Sequence, residues 1–292
     1  MKRVMAWVSL IAVAVLVLTA CTPASTSGGA NLSQGTVEAT QSTQCLGTAE
    51  AAIVDLNCRK ITVAVENAYL PFNYILVATG EPGGWDYAAL KEICTRLHCE
   101  PVFVEVAWDG MIQAVADKQY DMAADGITIT EDRKKMVDFS DGYIRVDQRL
   151  LVRKGETRFD SIDAFAANEK LTLGTQVNTT NYETAKKFLP ENRIKAFEQF
   201  PFAVQALLSG DVDAVLIDET AGQGYRGENA ENLELIGPSI SSDELGFVFP
   251  KGSDLVAPFN QALAAMKADG TLEKLNAYYF GPDFKIGEGD IK

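Results

Sequence analysis

Short apolar runs alternate with segments of helical periodicity, and this alternation occurs twice along the chain. The first series predicts strands over 61–65, 101–106 and 122–129, with a helix over 85–97 between the first two. A second series of the same kind spans 149–217. Strands that alternate with helices are typical of α/β folds with a mostly parallel sheet. The sequence therefore predicts two α/β lobes of similar size, with a small-molecule site in the cleft between them.

The first twenty residues are typical of an export signal. Lys2 and Arg3 precede a nearly unbroken apolar run that ends in small residues directly before Cys21. This pattern predicts a lipoprotein signal peptide over 1–20, cleaved so that Cys21 becomes the lipid-modified N-terminus. An uncleaved membrane anchor is the alternative, although the run is marginal for spanning a bilayer. Residues 21–44 are rich in Ser, Thr, Gly and Ala, which predicts a flexible tether between the lipid and the folded part.

Charge and histidine content exclude several classes of function. The chain of 292 residues has 26 Lys and Arg against 40 Asp and Glu, which gives a net charge of −14. Nucleic acids and anionic membrane surfaces are therefore not expected as partners. Because His98 is the single histidine, multi-histidine metal sites are excluded and histidine-based triads are not expected. We expect no cofactor.

Four cysteines remain after Cys21, an even number that predicts two disulfides in an exported chain. Three connectivities are possible, and proximity along the chain favours Cys45–Cys58 and Cys94–Cys99. Neither pair has the C-x-x-C spacing of a zinc site, so no metal site is predicted.

A G-x-G-x-x-G pattern occurs at 222–227. It stands three residues after a predicted strand, and the segment that follows it has no amphipathic periodicity. We interpret it as a loop and not as a dinucleotide site.

The segment 120–143 resembles the bacterial polar amino-acid solute-binding proteins that feed ABC transporters. Its sequence is YDMAADGITITEDRKKMVDFSDGY. Further matching blocks occur in order along 61–281, namely Tyr69–Phe72, Gly84–Asp86, Gly210–Asp218 and the ending from Lys251 to Gly281. Cys94 and Cys99 stand where histidine- and basic-amino-acid-binding members have a disulfide, with a shorter spacing here.

The resemblance implies the two-lobed periplasmic binding protein fold of type II, in which the second lobe is inserted into the first. Lobe 1 then comprises 45–146 plus 243–292, lobe 2 comprises 147–242, and two strands form the hinge. It also implies a monomer, lipid-anchored through Cys21 in the periplasm or at the cell surface. Such a protein captures a free amino acid and delivers it to the permease subunits of an ABC transporter.

The resemblance further assigns the residues that hold the backbone of the amino acid. The α-carboxylate is assigned to Arg133, Thr128, Thr179 and Thr180, and the α-ammonium to Asp218 and Gly126. A guanidinium can make two parallel bonds to a carboxylate, and a helix N-terminus attracts an anion. Each residue also has a purely structural interpretation, as a surface arginine, a helix cap or a strand end. Asn178 stands where the family usually has glycine.

The side chain of the ligand is assigned by the resemblance to Glu66, Tyr69, Asp86, Trp108, Asp125 and Gln176. Three acids around two aromatic rings favour a cation. We therefore expect arginine, then lysine or ornithine, with glutamine or another neutral polar amino acid as the alternative. The residues at 66, 108 and 125 all depart from the commoner choices of the family.

An enzyme on the same scaffold is the rival from another class, as in the related periplasmic cyclohexadienyl dehydratases. Those relatives have a carboxylate one helical turn after the position of Asp218, where this chain has Ala221. Without a positioned general acid, dehydration is not expected. The ligand domain of a lipid-anchored sensor is a further alternative.

Overall fold

The computed structural model describes residues 44–281, 284, 286, 290 and 291. The predicted signal peptide, Cys21 and nearly all of the predicted tether lie outside the described residues. Among the residues that are described, no helix is both long enough and apolar enough to cross a membrane.

The described residues alternate between strands and helices along the whole chain. The strands are β1 Arg59–Val65, β2 Ala68–Tyr69, β3 Asn73–Ile75, β4 Pro82–Gly83, β5 Cys99–Glu105, β6 Met122–Ala123, β7 Val137–Phe139, β8 Ile144–Arg153, β9 Leu173–Gln176, β10 Ile194–Phe197, β11 Ala214–Asp218, β12 Leu233–Leu245 and β13 Val248–Pro250. The α-helices are α1 Trp85–Leu97, α2 Met111–Ala116, α3 Glu131–Met136, α4 Ile162–Ala167, α5 Thr180–Phe188, α6 Phe200–Ser209, α7 Glu219–Arg226, α8 Val256–Ala268 and α9 Thr271–Tyr279.

The first lobe is built on a five-stranded sheet in the order β5-β1-β6-β13-β7. Strand β1 lies between β5 and β6 and is parallel to both, and Ile61 and the residues of 63–65 are buried. This burial on both sides explains the nearly continuous apolar run that predicts the strand. Strand β13 pairs antiparallel with β6 and β7, so the chain returns to this sheet after completing the second lobe.

The second lobe is built on a five-stranded sheet in the order β10-β9-β11-β8-β12. Strand β9 is parallel to β10 and β11, whereas β8 is antiparallel to both of its neighbours. Three neighbouring strands of each sheet are therefore parallel, as predicted. The sequence did not predict the antiparallel strands, β13 in the first sheet and β8 in the second.

Two long antiparallel strands connect the lobes. The register of β8 with β12 runs from Ile144 opposite Leu245 to Arg153 opposite Leu233, with a shift between Ile236 and Ser241. The predicted lobe boundaries at 146/147 and 242/243 fall within these strands. The two-lobed α/β fold expected from the sequence is confirmed.

Two local predictions are wrong. Strand β6 ends at Ala123 instead of 129, because the chain turns at Gly126, whose φ is +57°. The glycine pattern at 222–227 is not a loop, since 219–226 form α7. A Cβ at Gly222 would lie 2.8 Å from the Leu235 side chain, and one at Gly224 would lie 3.1 Å from Leu70. These glycines allow a helix to approach its neighbours closely.

The structure pairs the cysteines as proximity along the chain favours. Cys94 near the end of α1 is joined to Cys99 at the start of β5, and Cys45 is joined to Cys58 directly before β1. Both pairings stay predictions for the exported protein.

Replacement of Gly84, the residue before α1, tests the close packing at the start of this helix. Gly84 has a φ of +119°, and a Cβ there would collide with the backbone carbonyl of Phe72. We expect Gly84→Ala to lower the free energy of unfolding by several kcal/mol, since the backbone must move. The control is Gly270→Ala, at φ +78° with no atom within 4 Å of the added Cβ, which should cost about 1 kcal/mol. Urea unfolding measures both, and equal losses would contradict the packing argument.

Candidate functional site

A cleft lies between the lobes and is lined from both sides. The lining residues are Tyr69, Trp108, Asp125, Gly126, Thr128, Arg133, Gln176, Thr179, Thr180, Asn181, Phe200 and Asp218. Every residue assigned to the ligand from the sequence is in this set except Glu66 and Asp86.

Arg133 supplies the positive charge of the cleft. It lies in the first turn of α3, where its backbone N–H donates to the Thr130 cap at 3.1 Å. Nη1 donates to the carbonyl of Thr128 at 2.8 Å, and the guanidinium carbon lies 5.3 Å from the centre of the Trp108 ring. Burial lowers the pKa of Arg133 to about 10, so the side chain stays charged at neutral pH. The arrangement presents a cation to an incoming anion.

Asp218 supplies a carboxylate on the opposite lobe. It ends β11, is almost fully buried, and accepts hydrogen bonds from Tyr69 Oη at 2.8 Å and Asn181 Nδ2 at 3.0 Å. Burial raises its pKa. Each carboxylate oxygen can accept more than one hydrogen bond, so Asp218 can also receive an ammonium group.

The N-terminus of α5 faces the same cleft. The hydroxyl of Thr179 accepts from the backbone N–H of Tyr182 at 3.1 Å and donates to the carbonyl of Gln176 at 2.7 Å. The hydroxyl of Thr180 lies 3.2 Å from that of Thr128 on the other lobe. Both hydroxyls already have partners, so the free backbone N–H groups of the first turn are what α5 offers to an anion.

Asp125 lies in the wall of the cleft and is joined to Asp86 through Asn73. The amide nitrogen of Asn73 donates to Asp125 Oδ1 at 2.7 Å and to Asp86 Oδ2 at 2.9 Å. Burial raises the pKa of Asp125 to about 7 and that of Asp86 well above its ordinary value. Asp86 is fully buried in α1 and does not line the cleft.

Glu66 contacts the cleft indirectly, through Gln176 of the second lobe. Gln176 Nε2 donates to the two carboxylate oxygens of Glu66 at 2.9 and 3.1 Å and to the carbonyl of Glu198 at 2.8 Å. Burial and the charge of Asp125 raise the pKa of Glu66 to about 8. The hydrogen bonds from Gln176 act in the opposite direction, since they favour the ionised carboxylate.

The two predicted aromatic residues do not form an open sandwich. Tyr69 stacks between Phe72 and Phe200, with ring centres 5.3 and 5.2 Å apart. Trp108 is covered on one face by Arg133. Tyr69 therefore already has a ring partner on each side, and Trp108 has a cation over one face.

Sequence reasoning missed four participants: Asn73, Asp109, Asn181 and Phe200. Asp109 accepts a hydrogen bond at 2.8 Å from the side chain of Asn178, across the cleft. Asn178 has a φ of +58°, a left-handed conformation that asparagine tolerates where the family usually has glycine. The unusual asparagine at position 178 was the one feature of the sequence that could have indicated these residues. The hydrogen bonds of the Asn73 and Asn181 amides follow no periodic pattern along the chain.

Within the described residues, one group of potential metal ligands occurs, formed by Cys45, Cys58 and His98. Their sulfur and ring nitrogen atoms lie within 4.8 Å of one another. The two sulfurs are joined to each other, and a disulfide offers no thiolate. His98 Nδ1 lies 2.8 Å from Asp55. This group ties the start of the fold to the end of α1.

Replacement of Asn178 separates its backbone role from its bond across the cleft. Asn178→Gly should keep the stability of the fold, whereas Asn178→Ala should lose about 1 kcal/mol because alanine disfavours positive φ. Both variants lack the bond to Asp109, so both should release a bound ligand faster to the same degree. Thermal unfolding and stopped-flow dissociation measure the two effects. Wild-type dissociation in both variants would show that the bond does not hold the cleft shut.

Comparison with known proteins agrees with this geometry. The family model of the bacterial extracellular solute-binding proteins, family 3, matches residues 61–282. The chain is 29% identical over 231 residues to the L-cystine-binding protein TcyJ of Escherichia coli strain K12, covering 76% of this chain and 83% of that protein. It is also 29% identical over 227 residues to the arginine-binding extracellular protein ArtP of Bacillus subtilis, covering 76% and 86%.

A solved structure shows the same architecture. The arginine-, lysine-, histidine-binding protein ArtJ of Geobacillus stearothermophilus superimposes with a TM-score of 0.71 at 30% identity, covering 76% of this chain and 96% of that one. The relatives and the family model together confirm the resemblance found in the sequence. The chain belongs to the bacterial extracellular solute-binding proteins of family 3.

Proposed function

We propose that this protein captures a free cationic L-amino acid, with arginine preferred over lysine or ornithine, in the cleft between its lobes. It then delivers the amino acid to the permease of an ABC importer. The observation that carries the proposal is a cleft with Arg133 on one lobe, Asp218 on the other and the buried Asp125 in its wall.

The backbone of an amino acid fits the two opposite charges. An unpaired charge in a closed cleft costs several kcal/mol, so the α-carboxylate and the α-ammonium each need a partner. Arg133, Thr128 and the start of α5 at Thr179 and Thr180 supply donors for the carboxylate. Asp218 and the backbone of Gly126 are the acceptors for the ammonium. A Cβ at Gly126 would lie 2.8 Å from the Tyr69 ring, so glycine keeps this approach open.

The side-chain subsite supports a cation. Glu66, Asp86 and Asp125 are buried, and their side-chain hydrogen-bond partners in the described structure are the neutral amides of Asn73 and Gln176. Of the three acids Asp125 lines the cleft, so a guanidinium or ammonium group of the ligand placed against Asp125 would supply the missing positive charge. ArtP and ArtJ, which are named for binding arginine, support this choice.

A neutral polar amino acid such as glutamine is the second candidate, and one observation favours it. The indole nitrogen of Trp108 is buried without a hydrogen-bond partner among the described residues. An indole N–H can only donate, and the side-chain carbonyl of glutamine would accept from it. Arginine offers no such acceptor on its side chain.

The export of this protein is part of the proposal. The apolar run before Cys21 and the polar segment after it support a mature protein attached by lipid at Cys21, with the folded part extending from a tether. A tethered monomer of this kind stays near the permease and needs no other contact with the membrane.

Removal of the guanidinium tests the assignment of the carboxylate. We expect Arg133→Ala to weaken binding of the preferred amino acid about 30-fold or more, the equivalent of about 2 kcal/mol for a buried carboxylate left unpaired. Arg59→Ala is the control, since Arg59 pairs with Asp254 at 2.8 Å at the start of β1 and does not line the cleft. Calorimetric titration measures both, and an unchanged affinity of Arg133→Ala would overturn the assignment.

A thermal-shift screen of ligand-free protein tests the ligand class. Twenty amino acids plus ornithine and citrulline are each added at the same concentration, about 100 times the Kd expected for arginine. At this concentration the preferred ligand raises the free energy of unfolding by about 2.7 kcal/mol. Arginine should give the largest shift. The double change Glu66→Gln/Asp125→Asn should reduce the arginine shift far more than the glutamine shift, with Glu273→Gln, exposed on α9, as the control. Equal reductions would contradict a cationic subsite, and no shift with any amino acid would contradict the proposed function.

A further inference from the structure

We propose that the carboxyl pair Glu66–Asp125 exchanges a proton for the charge of the ligand. A cationic amino acid then binds with release of a proton to solvent, whereas a neutral polar amino acid binds with the proton retained on the pair. The pH therefore selects between the two ligand classes. This inference rests on the proposed amino-acid-binding function.

The strand order brings Glu66 and Asp125 together. Strands β1 and β6 are parallel neighbours, with Val63 opposite Met122 and Ala64 opposite Ala123. Glu66 and Asp125 follow these strands where both leave the same edge of the sheet, and the backbone N–H of Glu66 donates to Asp125 Oδ1 at 3.2 Å. Both side chains are at most 5% exposed. Two neighbouring carboxyl groups that are this deeply buried, and whose side-chain partners are neutral amides, cannot both ionise easily.

The partners of the pair are neutral. Asn73 donates to Asp125, and Gln176 donates to Glu66. The titratable groups close to Asp125 are Asp86 and Tyr87 on α1, Tyr69 on β2 and Tyr143 before β8. Asp218 on β11 and Arg133 on α3 complete the set, since they line the same cleft as Asp125. Arg133 is the one cation of this set, and the carboxylates that raise its pKa are Asp218 and Asp243. The surroundings therefore oppose full ionisation of the pair.

Burial holds a proton on the pair near neutral pH. It raises the pKa of Asp125 to about 7, and together with the charge of Asp125 it raises the pKa of Glu66 to about 8. A ligand cation against Asp125 would stabilise the ionised carboxylates and lower both pKa values, so the proton leaves as the ligand binds. A ligand without a positive side chain supplies no such stabilisation. The protonated pair can instead donate a hydrogen bond to it.

The direction of the pH effect follows from linkage. Binding that releases a proton strengthens as pH rises, by up to about tenfold per pH unit for each proton released. Arginine affinity should therefore rise between pH 6 and 8 and level off above the pKa of the pair. Glutamine affinity should stay constant or fall over the same range, because ionisation removes the hydrogen-bond donor.

Calorimetric titration of the mature protein in two buffers of different ionisation enthalpy, phosphate and Tris, tests the proposal. With arginine at pH 7, the heat of binding should differ between the buffers by the amount expected for proton release. Glutamine carries the same α-ammonium and α-carboxylate, so its buffer-independent heat controls for these groups. Glu66→Gln should reduce the buffer dependence and the slope of the pH profile of arginine binding, because only Asp125 of the pair then still titrates. Glu273→Gln should leave both unchanged.

The outcomes distinguish this inference from the function on which it rests. Arginine that binds with equal heat in both buffers and with one affinity from pH 6 to 8 would overturn the proton exchange alone. No binding of arginine, lysine or ornithine at any pH would overturn the cationic ligand class and the exchange together. If Glu66→Gln does not fold, Asp125→Asn serves instead. Its amide oxygen can still accept from Asn73 and from the backbone of Glu66, and it removes the second titrating group.

Discussion

The burial of charge in a cleft between two lobes is the constraint on which the rest of this structure depends. Asp218 shows how the cost is met, since its partners Tyr69 and Asn181 come from different lobes. Arg133 is held in a similar way, by a carbonyl on one side and an aromatic ring on the other. Neutral hydrogen bonds orient these charges without cancelling them. The charges therefore remain available to a ligand that carries both signs.

The contacts of the site depend on how the two connecting strands hold the lobes together. Two antiparallel strands, β8 and β12, connect the lobes, so each lobe keeps its own sheet. The contacts that complete the site cross the cleft, as in the bonds of Gln176 to Glu66 and of Asn178 to Asp109. They form only when the lobes meet. A ligand that neutralises the facing charges therefore stabilises the arrangement in which the lobes touch.

Much of the fold could be predicted from the sequence because its signals are local. Helix α1 follows apolar periodicity and has the predicted bounds. The sequence did not predict strand β12, which is half-exposed and has a register shift. It also did not predict helix α7, which has glycines where it packs closest to its neighbours. In the site, the resemblance to the family pointed to the charged residues. The pairings of Asn73 and Asn181 could not be predicted, because amide contacts between distant segments leave no pattern in the chain.

The sequence by itself determined the α/β alternation, the family, and the residues that carry charge to the cleft, because periodicity and ordered motifs are encoded along the chain. Only the tertiary structure decided which of these residues reach the cleft. It placed Asp125 in the wall, Asp86 behind Asn73 and Glu66 against Gln176. These positions depend on the order of strands in a sheet and on the meeting of two lobes. Contacts of that kind join residues far apart in sequence, and the composition of either segment alone does not specify them.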